Sequence, residues 1–135
     1  MGEVRVKVKL SNVADQAAAA AGRISPDTIR QIETDAMVDT GAVRSCIPAP
    51  LLELLGIAPY GEMTVVLADG RKNEVGIAEG VRFEIMQRRS SDDALILGDE
   101  VLIGQTLLGK MDLLVDCARQ RLLPAHPEGP VNKLK

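Results

Sequence analysis

The sequence predicts an all-β domain, closed or sandwich-like, built from about eight short strands and two or three helical turns. Three observations lead to this fold class. Several segments alternate apolar and polar residues with the period of two that half-buried strands show. An Asp69-Gly70 dipeptide between two strand-like arms marks a β-hairpin, and every stretch with a helical pattern is short. The 135 residues suit a single domain spanning 1–135, which is long enough to bury a core without a disulfide or a metal.

Composition and charge exclude several classes of protein. Hydrophobic residues make up 46% and charged residues 26%, a balance typical of a soluble globular protein. The formal net charge of −3 provides no basic face for nucleic acid or for an anionic membrane surface. Tyr60 and Phe83 are the only aromatic residues, so base-stacking platforms are not expected. The N-terminus alternates charges with valines and predicts neither a signal peptide nor a membrane span, so we expect a cytoplasmic protein.

The first forty residues predict two strands with a helical segment between them. Residues 4–10 place valines and a leucine on one face and basic residues on the other, as in a half-buried strand. Residues 15–22 are alanine-rich and predict a short helix or a loosely ordered loop. Residues 25–38 are ambiguous, because they open with Ser-Pro, a typical helix start, whereas their second half alternates as a strand does. We favour a strand for this second half, running into Asp39.

The middle of the chain predicts a helix, a hairpin and a further strand. Residues 48–57 have a proline near the start, leucines within and a glycine near the end, which is typical of a short helix. Residues 63–77 hold two strand-like arms around Asp69-Gly70, a dipeptide suited to the two-residue turn of a hairpin. Residues 79–86 alternate again and predict another strand.

The last third of the chain predicts a polar loop followed by short apolar elements. Residues 87–93 are polar, and the pair Arg88-Arg89 within them is expected to belong to a solvated loop and not to a binding patch. The remaining predicted elements are strands at 94–97, 100–104, 111–116 and 121–124, a helical turn ending near Gly109, and a surface tail at 125–135.

Asp39 needs an explanation, because it places a carboxylate at the end of an apolar run, in the tripeptide Asp39-Thr40-Gly41. Its simplest role is that of a turn residue that caps the helix that follows. A phosphate-accepting aspartate of the haloacid type would require a second aspartate where Gly41 stands, so that role fails. A catalytic acid or base is the other possibility, and the rest of the chain has to decide between the two.

Three segments, in this order along the chain, resemble the retropepsin-like aspartic proteases, particularly their small bacterial relatives. They are MVDTGA at 37–42, the hairpin strand VVLADG at 65–70, and LIGQTLLGKMDLLVDCARQRLLP at 102–124. The similarity covers roughly residues 29–124 and rests on the combination of segments, because Asp-Thr-Gly alone occurs in many loops. The resemblance implies a closed β-barrel of short strands with one or two short helices, pairing as a C2 homodimer.

The resemblance also implies a role for each residue that matches the motifs of the family. One carboxylate is implied to be catalytic and to be supported by its neighbours in the loop. The hairpin is implied to act as a flap that covers substrate and excludes water. The implied residues are Asp39 as catalytic; Thr40, Gly41 and Ala42 as loop support; Ala68, Asp69 and Gly70 in the flap; and Ile103 and Gly104 beneath the loop.

The chemistry of amide hydrolysis gives an independent reason for this arrangement. One group must take a proton from water while another gives a proton to the carbonyl oxygen. Two carboxylates held about 3 Å apart share one proton and supply both functions. The chain has a single Asp-Thr-Gly, because neither Asp69 nor Asp99 has matching neighbours. The second carboxylate must therefore come from another copy of the chain, across the two-fold axis of a homodimer.

The leading interpretation is an aspartic endopeptidase that acts on peptide or protein substrates without a cofactor or metal and binds neither nucleic acid nor membrane. The alternative is a non-catalytic peptide-binding or protein-binding module on the same fold. A structural domain in which Asp39 only caps a helix is a third possibility. Cys46 and Cys117 are expected to be small buried hydrophobic residues, and His126, the only histidine, is expected to have no catalytic role.

Overall fold

The computed structural model describes residues 3–134, and within them it contains nine strands, three short α-helices and one 3-10 turn. The strands are β1 (Val4–Asn12), β2 (Gln31–Val38), β3 (Ser45–Ile47), β4 (Gly61–Val66), β5 (Lys72–Ile85), β6 (Arg88–Ile96), β7 (Val101–Ile103), β8 (Leu113–Asp116) and β9 (Arg121–Pro124). The helices are α1 (Val13–Ala20), α2 (Ala49–Leu55) and α3 (Gln105–Met111), and the 3-10 turn is Pro26–Thr28. No helix in this part of the chain is long and apolar enough to cross a lipid bilayer.

Six of the strands close into a β-barrel. Neighbouring strands follow the order β1-β2-β7-β3-β6-β5, and β5 returns to pair with β1. Strand β4 lies outside the barrel as the hairpin partner of β5, while β8 and β9 form a separate two-stranded sheet. The all-β barrel predicted from the sequence is confirmed, with three helices instead of one or two.

The barrel closes around aliphatic side chains. Val8 and Leu10 on β1 are completely buried, as the alternation of this strand predicts. Phe83 on β5 pairs opposite Leu10 and is also completely buried, at the point where the sheet closes on itself. Because burial of one large apolar side chain contributes about 1.5–3 kcal/mol, these contacts hold the first strand to the fifth.

Strand β2 places the Asp39 segment beside β7, which comes much later in the sequence. It pairs antiparallel with β1 and parallel with β7, where Val38 lies opposite Ile103. Ala36 and Val38 are buried in the barrel, so the register of β2 is set by its apolar face. Asp39 is consequently the first residue beyond the buried end of the strand.

Strand β3 is not predicted by the sequence. Its three residues are too few to show an alternating pattern, and it takes its partners from β6 and β7. Tertiary pairing alone therefore makes this segment a strand.

Two predictions in the region of β5 and β6 are wrong. The second arm of the hairpin and the strand predicted at 79–86 form one strand, β5, which has a register irregularity next to Gly80. Residues 88–93 of the predicted loop are the first part of β6, because Met86 and Gln87, both with positive φ, turn the chain sharply before it. Backbone pairing with β5, and not side-chain polarity, decides that this segment is a strand.

Arg88 is buried, in contrast to the solvated loop predicted for it. Its side chain is 8% exposed and donates hydrogen bonds to the carbonyl oxygens of Met111 (3.0 Å), Asp112 (2.7 Å) and His126. The Asp112 carboxylate lies 2.6 Å from Nδ1 of His126, and this hydrogen bond lowers the pKa of Asp112. The network joins β6 and the end of α3 to the C-terminal segment, whose residues 126–134 are largely exposed.

The two cysteines differ in their surroundings. Cys46 on β3 is buried, as expected. Cys117 is exposed in the turn between β8 and β9, so the prediction of a buried residue is wrong there. The turn lies outside the barrel, which is why this small apolar residue has nothing to pack against.

A polar network attaches α1 to the barrel. The Asn12 side chain accepts a hydrogen bond from the Asp15 N–H (3.0 Å) and donates one to the Leu55 carbonyl oxygen (2.8 Å). The Asp15 carboxylate accepts from Nε and Nη2 of Arg30 at 2.8 and 3.0 Å. These side-chain bonds, and then a backbone bond from Arg30, lower the pKa of Asp15 to about 2. The segment predicted as a short helix or loose loop is thus an anchored helix.

We expect Asp15→Asn to remove a pH-dependent part of the stability. The pKa of Asp15 in the folded chain, about 2, lies below its ordinary value of 3.8. Its pairing therefore stabilises the folded state fully above the ordinary value, and this contribution is lost as the pH falls towards 2. Urea unfolding of wild type and Asp15→Asn between about pH 6 and about pH 2.5 should show a difference in unfolding free energy that shrinks on acidification. Asp27→Asn, at an exposed carboxylate without an ion pair among residues 3–134, is the control; a difference for Asp15→Asn that is equal at every pH would contradict the assignment.

We expect Arg88→Met to lower the free energy of unfolding by about 1–3 kcal/mol, because it leaves the buried Met111 carbonyl oxygen without its donor. The carbonyl oxygens of Asp112 and His126 lose one donor each and keep the N–H groups of Ala125 and Gly129. Arg89→Met removes the same charge from the exposed neighbour on β6 and should change the stability by less than about 0.5 kcal/mol. Denaturant unfolding at neutral pH measures both. Equal effects of the two substitutions would show that the network contributes nothing to the fold.

Candidate active site

The Asp39 loop, residues 39–44, leaves the barrel at the end of β2. The Asp39 N–H donates to the carbonyl oxygen of Ile103 (2.9 Å), which continues the pairing of β2 with β7. The Gly41 N–H donates to Oδ1 of Asp39 (3.0 Å), and the Ala42 N–H donates to the carbonyl oxygen of Asp39 (3.2 Å). The carboxylate is therefore oriented by backbone groups.

The carboxylate of Asp39 is half-buried, and the residues that follow it are more open. Thr40 and Gly41 are exposed, and Val43 is 68% exposed. Within residues 3–134 Gly41 is the single hydrogen-bond donor to this carboxylate, so Oδ2 has no protein donor. The loop thus presents a partly unsatisfied carboxylate beside exposed apolar surface.

Two glycines allow close approaches around the loop. A Cβ on Gly41 would lie 3.3 Å from Oδ1 of Asp39, so a side chain there would press on the carboxylate. A Cβ on Gly104 would lie 2.6 Å from the carbonyl carbon and oxygen of Arg44, which is closer than real atoms approach. The Gly104 N–H also donates to the buried hydroxyl of Ser45 (3.0 Å), a residue that the sequence analysis did not single out. The end of β7 is therefore packed directly beneath the Asp39 loop.

The N-terminus of α3 is hydrogen-bonded to the same loop. The N–H groups of Gln105 and Thr106 donate to the carbonyl oxygens of Ala42 (2.8 Å) and Val43 (3.1 Å). The side-chain amide of Gln105 donates to the carbonyl oxygen of Thr40. Because the first amides of a helix have no partner inside the helix, the loop satisfies them. Gln105 is not among the predicted site residues, and its place directly after the glycine of the LIGQ motif is the signal that could have found it.

Cys46 lies near enough to Asp39 to be affected by its charge. Burial, and then the negative charge of Asp39, raise the pKa of the Cys46 thiol. A thiol whose pKa is raised stays protonated and is a poor nucleophile, so Cys46 is a packing residue at this site. Among residues 3–134 no group of three His, Cys, Asp or Glu residues is arranged to hold a metal ion.

The predicted flap residues form the loop of the hairpin between β4 and β5. The Gly70 N–H donates to the carbonyl oxygen of Leu67 (2.9 Å), and the Leu67 N–H donates to that of Arg71 (2.8 Å). The loop therefore has three residues, Ala68, Asp69 and Gly70, instead of the predicted two, with Gly70 at a φ of 86° that favours glycine. Their recorded hydrogen bonds, among residues 3–134, stay within the hairpin and do not reach the Asp39 loop.

A second apolar cluster, which we call the hairpin cluster, connects the hairpin to the strands beside the Asp39 loop. Cys46 pairs with Leu102 of β7 and with Leu95 of β6, and these residues pack against the hairpin strands. The half-buried members leave part of the cluster accessible. The buried members are Cys46, Val75, Ile77 and Leu95, and the half-buried members are Met63, Val65, Leu97 and Leu102.

The barrel is similar to that of a viral protease. The solution structure of the protease of simian foamy virus (mac) matches this chain with a TM-score of 0.50 and 16% identity, covering 77% of this chain and 90% of that chain. The chain has a retropepsin-like fold. No protein-family model matches the sequence, and no curated protein matches it either. At this identity the likeness concerns the fold alone, and it confirms the retropepsin-like barrel predicted from the three motifs.

We expect Gly104→Ala to destabilise the retropepsin-like barrel, because its Cβ would collide with the Arg44 carbonyl group. The expected loss is about 1–3 kcal/mol of unfolding free energy, the usual cost of overpacking. Gly109→Ala in α3, where a Cβ would meet nothing within 4 Å, is the matched control and should raise the stability by up to about 1 kcal/mol through helix propensity. Denaturant unfolding measures both changes. A Gly104→Ala chain as stable as wild type would show that the loop can move away from β7.

Proposed function

We propose that this chain is an aspartic endopeptidase that acts as a homodimer, with Asp39 of each copy as the catalytic carboxylate. The observation that carries the proposal is the half-buried Asp39 carboxylate, oriented by the Gly41 N–H at the end of a strand in a retropepsin-like barrel. The proposed support residues Thr40 and Ala42 belong to the same hydrogen-bonded loop, and Ile103 and Gly104 lie beneath it.

The dimer is part of the proposal because one carboxylate cannot supply both an acid and a base. A two-fold axis beside the Asp39 loop would bring the carboxylates of two copies together, and at about 3 Å they would share one proton. The exposed Thr40 and Gly41 and the 68% exposed Val43 supply surface that a second copy could cover.

The proposed reaction needs only water and the two carboxyl groups. The ionised carboxylate takes a proton from water while the water oxygen bonds to the peptide carbonyl carbon, and the protonated carboxyl group gives its proton to the carbonyl oxygen. In the second step the carboxyl group that took the proton from water gives it to the amide nitrogen, and the other carboxylate takes a proton from a hydroxyl group of the intermediate. The carbon–nitrogen bond then breaks, and an acid and an amine leave.

The hairpin would cover an extended peptide lying over the Asp39 loop. Such a peptide can pair with the hairpin as an added strand, with the loop residues Ala68, Asp69 and Gly70 at the tip. The half-buried members of the hairpin cluster, such as Met63 and Leu102, would contact aliphatic side chains of the substrate. Closure over the peptide would exclude bulk water from the carboxylates.

The second candidate function is a peptide-binding or protein-binding module without catalysis. It requires only one chain, because each chain carries a single Asp-Thr-Gly together with the apolar hairpin cluster that a peptide could contact. A chain that stays monomeric would keep the apolar hairpin cluster but lack the second acid. In either function we propose a cytoplasmic location, which suits two free thiols.

We expect the wild-type chain to cleave members of a diverse peptide pool between acid and neutral pH. Asp39→Asn should lower the rate by roughly 10³-fold, because it removes the acid–base group. Asp99→Asn, at an aspartate outside the Asp39 loop, should keep the activity. Mass spectrometry of the pool measures all three, and cleavage by wild type and Asp39→Asn alike, or by neither, would contradict the proposal.

Mixing the two chains tests the shared site. If wild type and Asp39→Asn exchange freely in equal amounts, about one quarter of the dimers retain two Asp39 residues, and the activity should fall in proportion. Sedimentation in the same buffer reports the assembly. A strictly monomeric protein at tens of micromolar favours the binding module over the enzyme.

A further inference from the structure

Arg44 ends the Asp39 loop and is a half-exposed cation without a carboxylate partner. Within residues 3–134 no carboxylate lies at ion-pair distance from its guanidinium group, whereas Arg5, Arg30 and Arg88 each have one. A guanidinium that is partly removed from water and lacks an opposite charge is stabilised when a carboxylate binds it. Arg44 is therefore suited to receive an anionic group from another molecule.

The backbone of Arg44 is held in a fixed position. Its carbonyl group lies against Gly104 so closely that a Cβ there would approach it to 2.6 Å. The next residue, Ser45, is completely buried and accepts a hydrogen bond from the Gly104 N–H (3.0 Å). The side chain of Arg44 thus begins from a rigid point of the candidate site.

Arg44 lies next to the strand that carries part of the hairpin cluster. Ser45 and Ile47 on β3 point into the barrel and are completely buried. Cys46, between them, points the other way and belongs to the hairpin cluster. Arg44 lies in the bend that ends the Asp39 loop, two residues before Cys46.

Tyr60, at the base of the hairpin, is affected by the charge of Arg44. Its N–H donates to the carbonyl oxygen of Ile77 (2.9 Å) at the base of the hairpin, and its hydroxyl donates to the Asp93 carboxylate (3.3 Å). Burial, and then the charge of Asp93, raise the pKa of the Tyr60 hydroxyl, while the positive charge of Arg44 acts in the opposite direction. The guanidinium therefore lies within electrostatic range of the base of the hairpin.

Arg44 thus ends the Asp39 loop, and its charge acts on Tyr60 at the base of the hairpin that would cover the peptide. We propose that Arg44 determines specificity by binding an aspartate or glutamate side chain of the peptide near the scissile bond. This inference rests on the proposed function and names the class of substrate: aliphatic peptides that carry an acidic residue. A planar guanidinium can bind both oxygens of such a carboxylate.

The preference would arise from the local charge of Arg44 and not from the protein as a whole. The formal net charge of −3 repels acidic peptides at long range. Asp93, already bonded to Tyr60, adds a local negative charge that Arg44 must outweigh. Acidic preference is therefore not expected unless a specific cation contacts the peptide.

A binding experiment tests the inference without relying on catalysis. The full chain with Asp39→Asn is titrated with two fluorescent pools of aliphatic peptides, identical except that one carries Asp or Glu where the other carries Asn or Gln. The acidic pool should bind about fivefold more tightly, the range expected for a partly exposed ion pair. Adding Arg44→Gln should remove the difference, and adding Arg44→Glu should reverse it, so that the acidic pool binds more weakly than the neutral pool. Arg23→Gln, at an exposed arginine in the turn after α1, is the control and should keep the preference.

A cleavage profile of the wild type separates this inference from the proposed function. Cleavage with an acidic preference that Arg44→Gln removes supports both. Cleavage without that preference, or with a preference that Arg44→Gln leaves unchanged, overturns the role of Arg44 while the endopeptidase stands. Absence of cleavage together with Arg44-dependent binding of acidic peptides rejects the endopeptidase and keeps the ligand class. Equal binding of both pools, or binding of neither at millimolar concentration, overturns the inference.

Discussion

The contact between Gly104 and the carbonyl group of Arg44 holds the candidate site together. Because Gly104 has no side chain, the end of β7 can lie directly against the Arg44 carbonyl group. This close approach lets the first amides of α3 bond carbonyl oxygens of the Asp39 loop. The Asp39 N–H extends the ladder from β2 to Ile103 of β7. The position of the Asp39 carboxylate therefore depends on a segment far along the chain. Catalytic sites in general require reacting groups to be held in a fixed geometry by rigid elements.

The same loop is rigid on one side and open on the other. Its carbonyl oxygens are satisfied by α3, whereas Thr40, Gly41 and Val43 are exposed. The hairpin cluster adds half-buried apolar side chains, and Arg44 at the end of the loop adds a positive charge. An extended peptide with aliphatic and acidic side chains would complement all three features, and a second copy of the loop would complete the pair of acids.

Polar networks attach the segments that have little apolar surface of their own. Helix α1 has no buried residue and is held through Asn12 and the ion pair of Asp15 with Arg30. The segment after β9 is held through Arg88 and Asp112. Buried polar groups need hydrogen-bond partners, and in both places charged side chains satisfy backbone groups that the apolar core does not reach.

The sequence by itself determined the alternating strands β1 and β2, the hairpin and the order of motifs around Asp39, because these depend on local periodicity and on glycine. Only the tertiary structure decided the three-residue strand β3, the strand character of the polar segment that begins β6, and the burial of Arg88. A short or two-sided polar segment carries no pattern of its own, since its hydrogen-bonding partners come from distant strands. For the same reason Ser45 and Gln105, which support the Asp39 loop from below, became evident only when the barrel closed.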